Sequence, residues 1–342
     1  MSRITIKDIA KKLSINPSTV SRALRNHPDV SEQLSATIKN LADELGYRPN
    51  HMAVHLRSGK SLTIGLIIPE ISMFFFPSII KAVEEEAHVR GYNLLVLHSN
   101  DSIDREIENA NICARMGVDG ILVSLSRESS DLEHFQEHSL AGIPIVYFDK
   151  VLSDTTAHKV VIPGHEAAIM AMRKLMDLSP RQKNIIGIFG DPRLSITRDR
   201  MEGFTHALKE KEIEVKPGNI LHALDPDEAA RHFENIYRSK PRPDGLFVMS
   251  DEILSGVLQA ASQLKSSIPR DIVVVSISDG YLPNLVPYGI PYVQTSGYLL
   301  GKTASKLLFN LIMEMPILPD THFIDIKYLD NKSQESNNLP VY

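Results

Sequence analysis

One cysteine and no tryptophan stand in 342 residues. A lone thiol, Cys113, cannot close an internal disulfide, so packed cores must hold the chain together, as suits a reducing compartment. No apolar run approaches the ~18 residues that would mark a membrane span. The first residues lack the apolar stretch of a secretory signal. The expectation is a cytoplasmic protein with no membrane partner. There is no G-x-S-x-G elbow and no G-x-G-x-x-G loop, so neither a serine hydrolase nor a dinucleotide enzyme is supported. The chain is expected not to be an enzyme, with no cofactor and no metal.

What is present is concentrated first in residues 5–25, TIKDIAKKLSINPSTVSRALR. Ile6, Ile9, Ala10 and Leu13 recur at helical spacing and share one face. Ser14-Ile15-Asn16 interrupts the pattern. Pro17 suits a first helical position, where its missing N–H has no partner to lose, and Asn16 before it is a good N-cap. Val20, Ala23 and Leu24 of the second helix point back at the first. Pro17, Ser18, Thr19, Ser21, Arg22 and Arg25 are left outside. Short hydroxyls with arginine suit a DNA major groove, where Arg can pair bidentately with guanine. Over these residues alone, an amphipathic hairpin with a solvated face reads equally well. Ser31 then caps a third helix with Leu34, Ile38, Leu41, Ala42 and Leu45 as its buried stripe, and Gly46 ends it. His51–Arg57 could make about two turns, too few to be stable alone. It is either a hinge helix that forms on DNA or a linker.

Here the chain resembles the LacI/GalR (lactose-repressor) family of transcription regulators. The resemblance rests on Asp8-Ile9-Ala10, Ser18 to Leu24, Val30-Ser31, Gly46-Tyr47-Arg48-Pro49-Asn50, Ala53, Leu56 and Ile64-Gly65. It implies a helix-turn-helix DNA-binding head (1–46), a hinge (47–60) and a two-lobe effector-binding body (61–330). In that frame Pro17, Ser18 and Arg22 would read the major groove. Thr19, Ser21, Tyr47 and Asn50 would position the backbone, Leu56 would wedge into the minor groove, and Thr5, Arg25, Ser31 and His51 join the DNA-contacting set. The expected partners are double-stranded operator DNA, a small effector and a second copy in a homodimer. Charge agrees. Residues 1–60 carry ten Lys+Arg against five Asp+Glu, leaving 27 against 37 in the remainder. A basic head on an acidic body touches phosphate at one end only.

From residue 61, strands and helices alternate, from the apolar run Leu62–Ile68 to a last strand at Phe323–Tyr328. Such βαβ repetition means parallel sheets with helices on both faces, and about ten units are too many for one compact sheet. The fold class is therefore α/β: a small all-α head plus two doubly wound sheets. The resemblance implies a periplasmic-binding-protein-like body whose chain crosses between lobes near 160, 290 and 320. The first lobe takes about 61–160 and 291–322, the second 161–290 and 323–330, with a tail at 331–342.

In open α/β sheets, ligands sit beyond the carboxyl ends of the strands. That places Phe74, Phe75 and Phe76, Asn100, Asp149, the segment Ser195–Arg200, Asp251, and Ser278 with Asp279 around one cleft for a small polar ligand. Taken singly, the phenylalanines could be core, and Asp251 and Asp279 could be helix caps. The resemblance implies that Arg200, in R-x-x-G-F-x-x-A-L, grips the effector and that Asp251 and Asp149 contact it. Departures limit the analogy: Ser278 stands where an aspartate is usual, Pro163-Gly164 where Asp-Asn is, and Leu34-Ser35 where Thr-Arg is common. A sugar or sugar acid is expected, with a nucleobase as the alternative. A solute-binding protein with a similar body is the alternative function. Two further motifs are read as coincidence: His134-x-x-Glu137-His138, a zinc-like pattern on a polar helix, and Gly297 to Thr303, a P-loop one residue short.

Overall fold

The computed structural model describes residues 4–47, 60–71, 75–152, 156–179, 184–266, 268–287, 289–315 and 320–330. The expected helix His51–Arg57, the tail from 331 and the candidate residues Asn50, His51, Leu56 and Phe74 lie outside them. Contacts divide the chain into two units, Met1–Ser61 and Leu62–Tyr342.

The first unit is three helices: α1 (Ile6–Leu13), α2 (Pro17–Ala23) and α3 (Glu32–Glu44). Its core is Ile9, Ala10, Val20, Ala23, Ile38 and Ala42, with Tyr47 packed at the edge. The capping logic holds. The Asn16 side chain accepts from the Ser18 backbone N–H at 3.0 Å with Pro17 next in line. Ser31 Oγ accepts from Leu34 N–H, and Gly46 takes the left-handed φ of +63°. The Leu34-Ser35 departure is structural. Leu34 packs on the small core, and Ser35 Oγ donates to the Ala23 carbonyl at 3.2 Å, tying α3 to α2.

The second unit carries two six-stranded sheets. The first runs β11-β5-β4-β3-β1-β2, the second β12-β10-β9-β8-β6-β7. The first sheet's strands are β1 (Thr63–Ile68), β2 (Asn93–His98), β3 (Gly120–Val123), β4 (Ile145–Phe148), β5 (Lys159–Val161) and β11 (Thr321–Phe323). The second sheet's are β6 (Ile185–Phe189), β7 (Ile220–His222), β8 (Gly245–Val248), β9 (Val273–Ser278), β10 (Tyr292–Gln294) and β12 (Lys327–Leu329). Strands paired across each sheet run parallel, apart from antiparallel β10–β12. Continuous apolar strands such as β1, buried from Ile64 to Ile68, need cover on both faces. The helices supply it: α4 (Phe75–Val89), α5 (Ile103–Met116), α6 (Glu133–Leu140), α7 (Gly164–Leu178), α8 (Ser195–Glu210), α9 (Pro226–Arg238), α10 (Asp251–Gln263), the short α11 (Tyr281–Leu285) and α12 (Gly297–Ile312). No helix among the described residues is long and apolar enough to cross a membrane.

Two expectations need correction. The last strand, expected over Phe323–Tyr328, is two short strands in different sheets, β11 and β12. Ile324 between them is buried in the first lobe's core, and Ile326 packs on both cores. The alternation that suggested one strand marks a crossing. The middle crossing lies later than 290, because β10 still pairs with β9 in the second sheet; the next element, α12, joins the first lobe's core.

The Gly297–Thr303 segment lies within α12, and its glycines serve helix packing. A Cβ at Gly297 would meet the Phe75 carbonyl at 2.7 Å, and one at Gly301 the Ile79 carbonyl at 2.8 Å. In the zinc-like motif, His134 is not solvated: its Nε2 lies 2.9 Å from the fully buried Glu106 carboxylate. Glu137 is exposed, and no cluster of metal-ligating residues occurs among the described residues. Cys113 is buried against Gly65, and burial pushes its thiol up to about 12, so it is an inert core residue.

Candidate functional site

Two surfaces carry the candidate residues, one in each unit. In the first unit, Thr5, Pro17, Ser18, Arg22, Arg25 and Ser31 are exposed, while Thr19, Ser21 and Tyr47 are half-buried. The Thr5 N–H and hydroxyl both donate to Asp8 at 2.8 and 2.7 Å, which holds the Asp8 carboxyl below its ordinary value. Arg25 donates from Nε to the Ser21 carbonyl at 3.0 Å and from Nη2 to its hydroxyl at 3.1 Å. That pair lies along the helix surface and extends Arg25 no further. Arg22 is different. Its only ion pair among the described residues is a long 3.8 Å contact with exposed Asp29. A surface pair of that kind is worth little, so the guanidinium is available to a larger anionic partner.

The second surface is a cleft of about 970 Å3, open mouth included, between the two lobes of the body. Strand ends converge on it, as expected for such sheets. The first lobe contributes Glu70 after β1, Phe75 and Phe76 at the start of α4, Arg127 after β3, and Asp149 and Lys150 after β4. The second contributes Asp191 after β6, Thr197 and Arg200 on α8, Asp251 and Glu252 at the start of α10, and Ser278 at the end of β9. Leu194, Leu224 and Met249 add apolar surface.

Arg200 organises the floor. It is 4% exposed, and its Nη1 donates to the Met249 carbonyl at 2.6 Å. Its Nε is buried with no hydrogen-bond partner. Burial draws its pKa down to about 10 against the pull of Asp149, Asp251 and Asp199, so it stays charged at neutral pH. At the Pro163-Gly164 departure, a Cβ on Gly164 would press on Asp199 Cβ at 3.2 Å and meet Arg200 Cγ in ordinary contact at 3.5 Å. Thr197, fully buried, likewise has a hydroxyl without a partner.

The carboxylates around Arg200 are crowded. Burial raises the Asp149 carboxyl despite Lys150 and Arg200. Asp251 is pushed up to about 7 by burial and by neighbouring Asp279. Its oxygens accept from the Ser278 hydroxyl and from the Asp279 backbone N–H at 2.9 Å. Glu252 is raised by burial and by Glu70 from the other lobe. Asp101 goes the other way. Burial works to raise it, but Lys150 at 3.4 Å and Arg127 at 2.9 Å outweigh that and hold it low.

Of the expected effector residues, Phe75, Phe76, Asp149, Arg200, Asp251 and Ser278 line the cleft. Asn100 does not. Exposed at a left-handed φ of +52°, it pairs instead with His98 Nδ1 at 2.7 Å, and the next residue, Asp101, makes the contacts near the cleft. Asp279 stands behind Asp251 and accepts from the Tyr281 N–H, which is a turn-forming role. Asp251 is not a cap; Ser250 is, accepting from Ile253 N–H. Glu70, Arg127, Lys150, Asp191 and Glu252 are additions, and Thr197 comes from the expected segment Ser195–Arg200. Lys150 and Glu252 directly follow expected residues, so adjacency was the available signal. Asp191 and Thr197 lie in strand-end segments, whereas Glu70 and Arg127 carried none.

With this geometry in view, the comparisons are specific. Residues 5–50 match the family described as bacterial regulatory proteins, lacI family, and residues 64–314 match the periplasmic binding protein domain. The chain is 28% identical over 307 residues to catabolite control protein A of Priestia megaterium, covering 89% of this chain and 91% of that protein. It is 28% identical over 324 residues to the ribose operon repressor of Halalkalibacterium halodurans, covering 94% of each. Among solved structures, the lac repressor dimer bound to operator and the anti-inducer ONPF superposes with a TM-score of 0.84. That match spans 96% of this chain and 98% of that one at 17% identity, a likeness of fold.

Proposed function

Because the chain belongs to the lacI family of bacterial regulatory proteins, with a periplasmic binding protein domain as its body, we propose that it is a transcriptional repressor whose grip on operator DNA is set by a small sugar. It acts by binding, not by catalysis, in the cytoplasm, as a homodimer that presents two heads to a pseudo-palindromic operator. Pro17, Ser18 and Arg22 read base edges in the major groove. Thr5, Thr19, Ser21, Arg25, Ser31, Tyr47, Asn50 and His51 hold backbone phosphates. Leu56 enters the minor groove at the operator centre, trading unstacking for a bend.

The observation that carries the effector half is the buried Arg200 guanidinium, with an unpartnered Nε at the floor of the cleft. A buried donor left without an acceptor costs free energy, and a ligand oxygen supplies the acceptor. Hydroxyls on the same ligand donate to Asp149 and Asp251, while Phe75 and Phe76, edge to face at 5.7 Å, cover a ring. Closing the lobes on the sugar changes how the two heads of the dimer meet DNA, with a coupling of roughly 1–3 kcal/mol.

The test selects genomic fragments with the full chain, footprints the winner and titrates salt. A sequence-preferring complex whose affinity falls linearly on a log–log salt plot is expected. Sugars are then added to wild type and to Arg200→Met. Wild type should respond about 5- to 150-fold, and the variant should bind operator yet ignore every sugar. A variant whose operator binding still responds to a sugar as wild type does, or one that loses operator binding outright, would overturn the assignment of Arg200.

A further inference from the structure

We infer that the effector carries no negative charge: the cleft takes a neutral sugar or one bearing a protonated amine, and it rejects sugar acids and sugar phosphates. This rests on reading the interlobe cleft as the effector site.

The lining holds five carboxylates, Glu70, Asp149, Asp191, Asp251 and Glu252, against three cations, Arg127, Lys150 and Arg200. Asp191 has a partner of its own in Arg193, 3.0 Å away. Each of the three cations already stands among carboxylates, Arg200 without a direct ion pair among the described residues. Arg127 and Lys150 pair with Asp101 and also face Glu252, two cations against two carboxylates. Arg200 faces Asp149, Asp251 and Asp199 together. An incoming carboxylate or phosphate would have to share a cation already claimed, in a buried setting where like charges repel more strongly than in water. Burial raises Asp149, Asp251 and Glu252, and the like charges of Asp279 and Glu70 raise the last two further, so a further anion would enter beside carboxylates already destabilised in their charged form.

The groups without partners describe the ligand independently. Arg200 Nε, Arg127 Nε and the Thr197 hydroxyl are buried and unpaired. The two guanidinium nitrogens can only donate, whereas the surrounding carboxylates mainly accept. A hydroxyl does both and meets each kind of group without adding charge. Glu70 of the first lobe acts as a like charge on Glu252 of the second, which Lys150 and Arg127 offset only in part, so an ammonium is tolerated beside them.

The test uses the full chain with matched series read by thermal shift and calorimetry. One series is D-glucose, D-glucosamine, D-glucuronate and D-glucose 6-phosphate; equivalent series start from D-galactose and D-ribose. In the series that binds, the neutral or amino member should be at least tenfold tighter than its acid and phosphate. Glu252→Gln should narrow that ratio. An acid or phosphate that matches or beats its neutral parent overturns the inference while leaving the cleft as the effector site. A ratio unmoved in Glu252→Gln removes charge as its cause and overturns it too. If no member of any series binds, the sugar reading fails first and takes the inference with it.

Discussion

The head and the body solve opposite recognition problems. The head's candidate contacts stand on its surface, and its described polar groups are tied to one another locally: Thr5 to Asp8, Asn16 to Ser18, Arg25 to Ser21. Its interior is six apolar side chains. The body instead buries its candidate contacts and lets charge accumulate, with Arg200 at 4% and Asp149 at 9% exposure. A partner as large as duplex DNA brings its own charges to a rigid, exposed face. A sugar must be enveloped, so the protein has to desolvate charged groups and leave some of them waiting for the ligand. The lesson is that exposure tracks the size of the partner, and protonation strain tracks enclosure.

The sharpest way to break this comparison is to empty the head's core. Ile38 is fully buried among few neighbours. Ile38→Ala should cost about 2–5 kcal/mol, a large fraction of what so small a core supplies. Operator binding should vanish in a gel-shift assay, while the sugar that stabilises wild type still raises the body's melting temperature. Losing that thermal shift as well would mean the two units are not energetically separate. A smaller effect is expected from Arg22→Ala. It should lose about 1–3 kcal/mol of specific operator affinity, the value of a bidentate base contact, with the sugar response intact. If specific and non-specific DNA weaken equally, Arg22 is a phosphate contact and reads no base.

The two regions were also unequally legible in sequence. The head's signals are local: Asn16-Pro17, Ser31 and Gly46 are adjacent to what they terminate, and each does what its chemistry dictates. In the body, the alternation of strands and helices and the rule that ligands meet strand ends pointed to Asp149, Asp251, Ser278 and the segment ending at Arg200, all of which line the cleft, while the family resemblance singled out Arg200 itself. What escaped was non-local. In Ser99-Asn100-Asp101, both later residues take a left-handed φ, and either could face the cleft. Only the sheet order decides, by bringing Arg127 after β3 and Lys150 after β4 to Asp101. Glu70 and Arg127 look like ordinary turn residues until the opposite lobe is in place. The segment Phe323–Tyr328 failed for a related reason: a strand pattern cannot say that its two ends belong to different sheets.

The finest distinction between the regions is their response to pH. Asp8 in the head is held low by Thr5, so it stays ionised throughout the neutral range. Asp251 is raised to about 7 by burial and Asp279. The folded body therefore holds a proton that the unfolded chain releases near pH 4. The stability contributed by that proton is full below about pH 4 and is lost as pH climbs through 7. Asp251→Asn cannot titrate and keeps an acceptor for either the Ser278 hydroxyl or the Asp279 N–H. Between pH 4.5 and 7.5, wild type should lose stability relative to the variant, on the order of 1 kcal/mol per pH unit, read as urea midpoints. Parallel curves would mean that those two donors keep Asp251 ionised. The enclosed site would then tolerate its crowded charge without storing a proton, and the contrast with the head would be one of exposure alone.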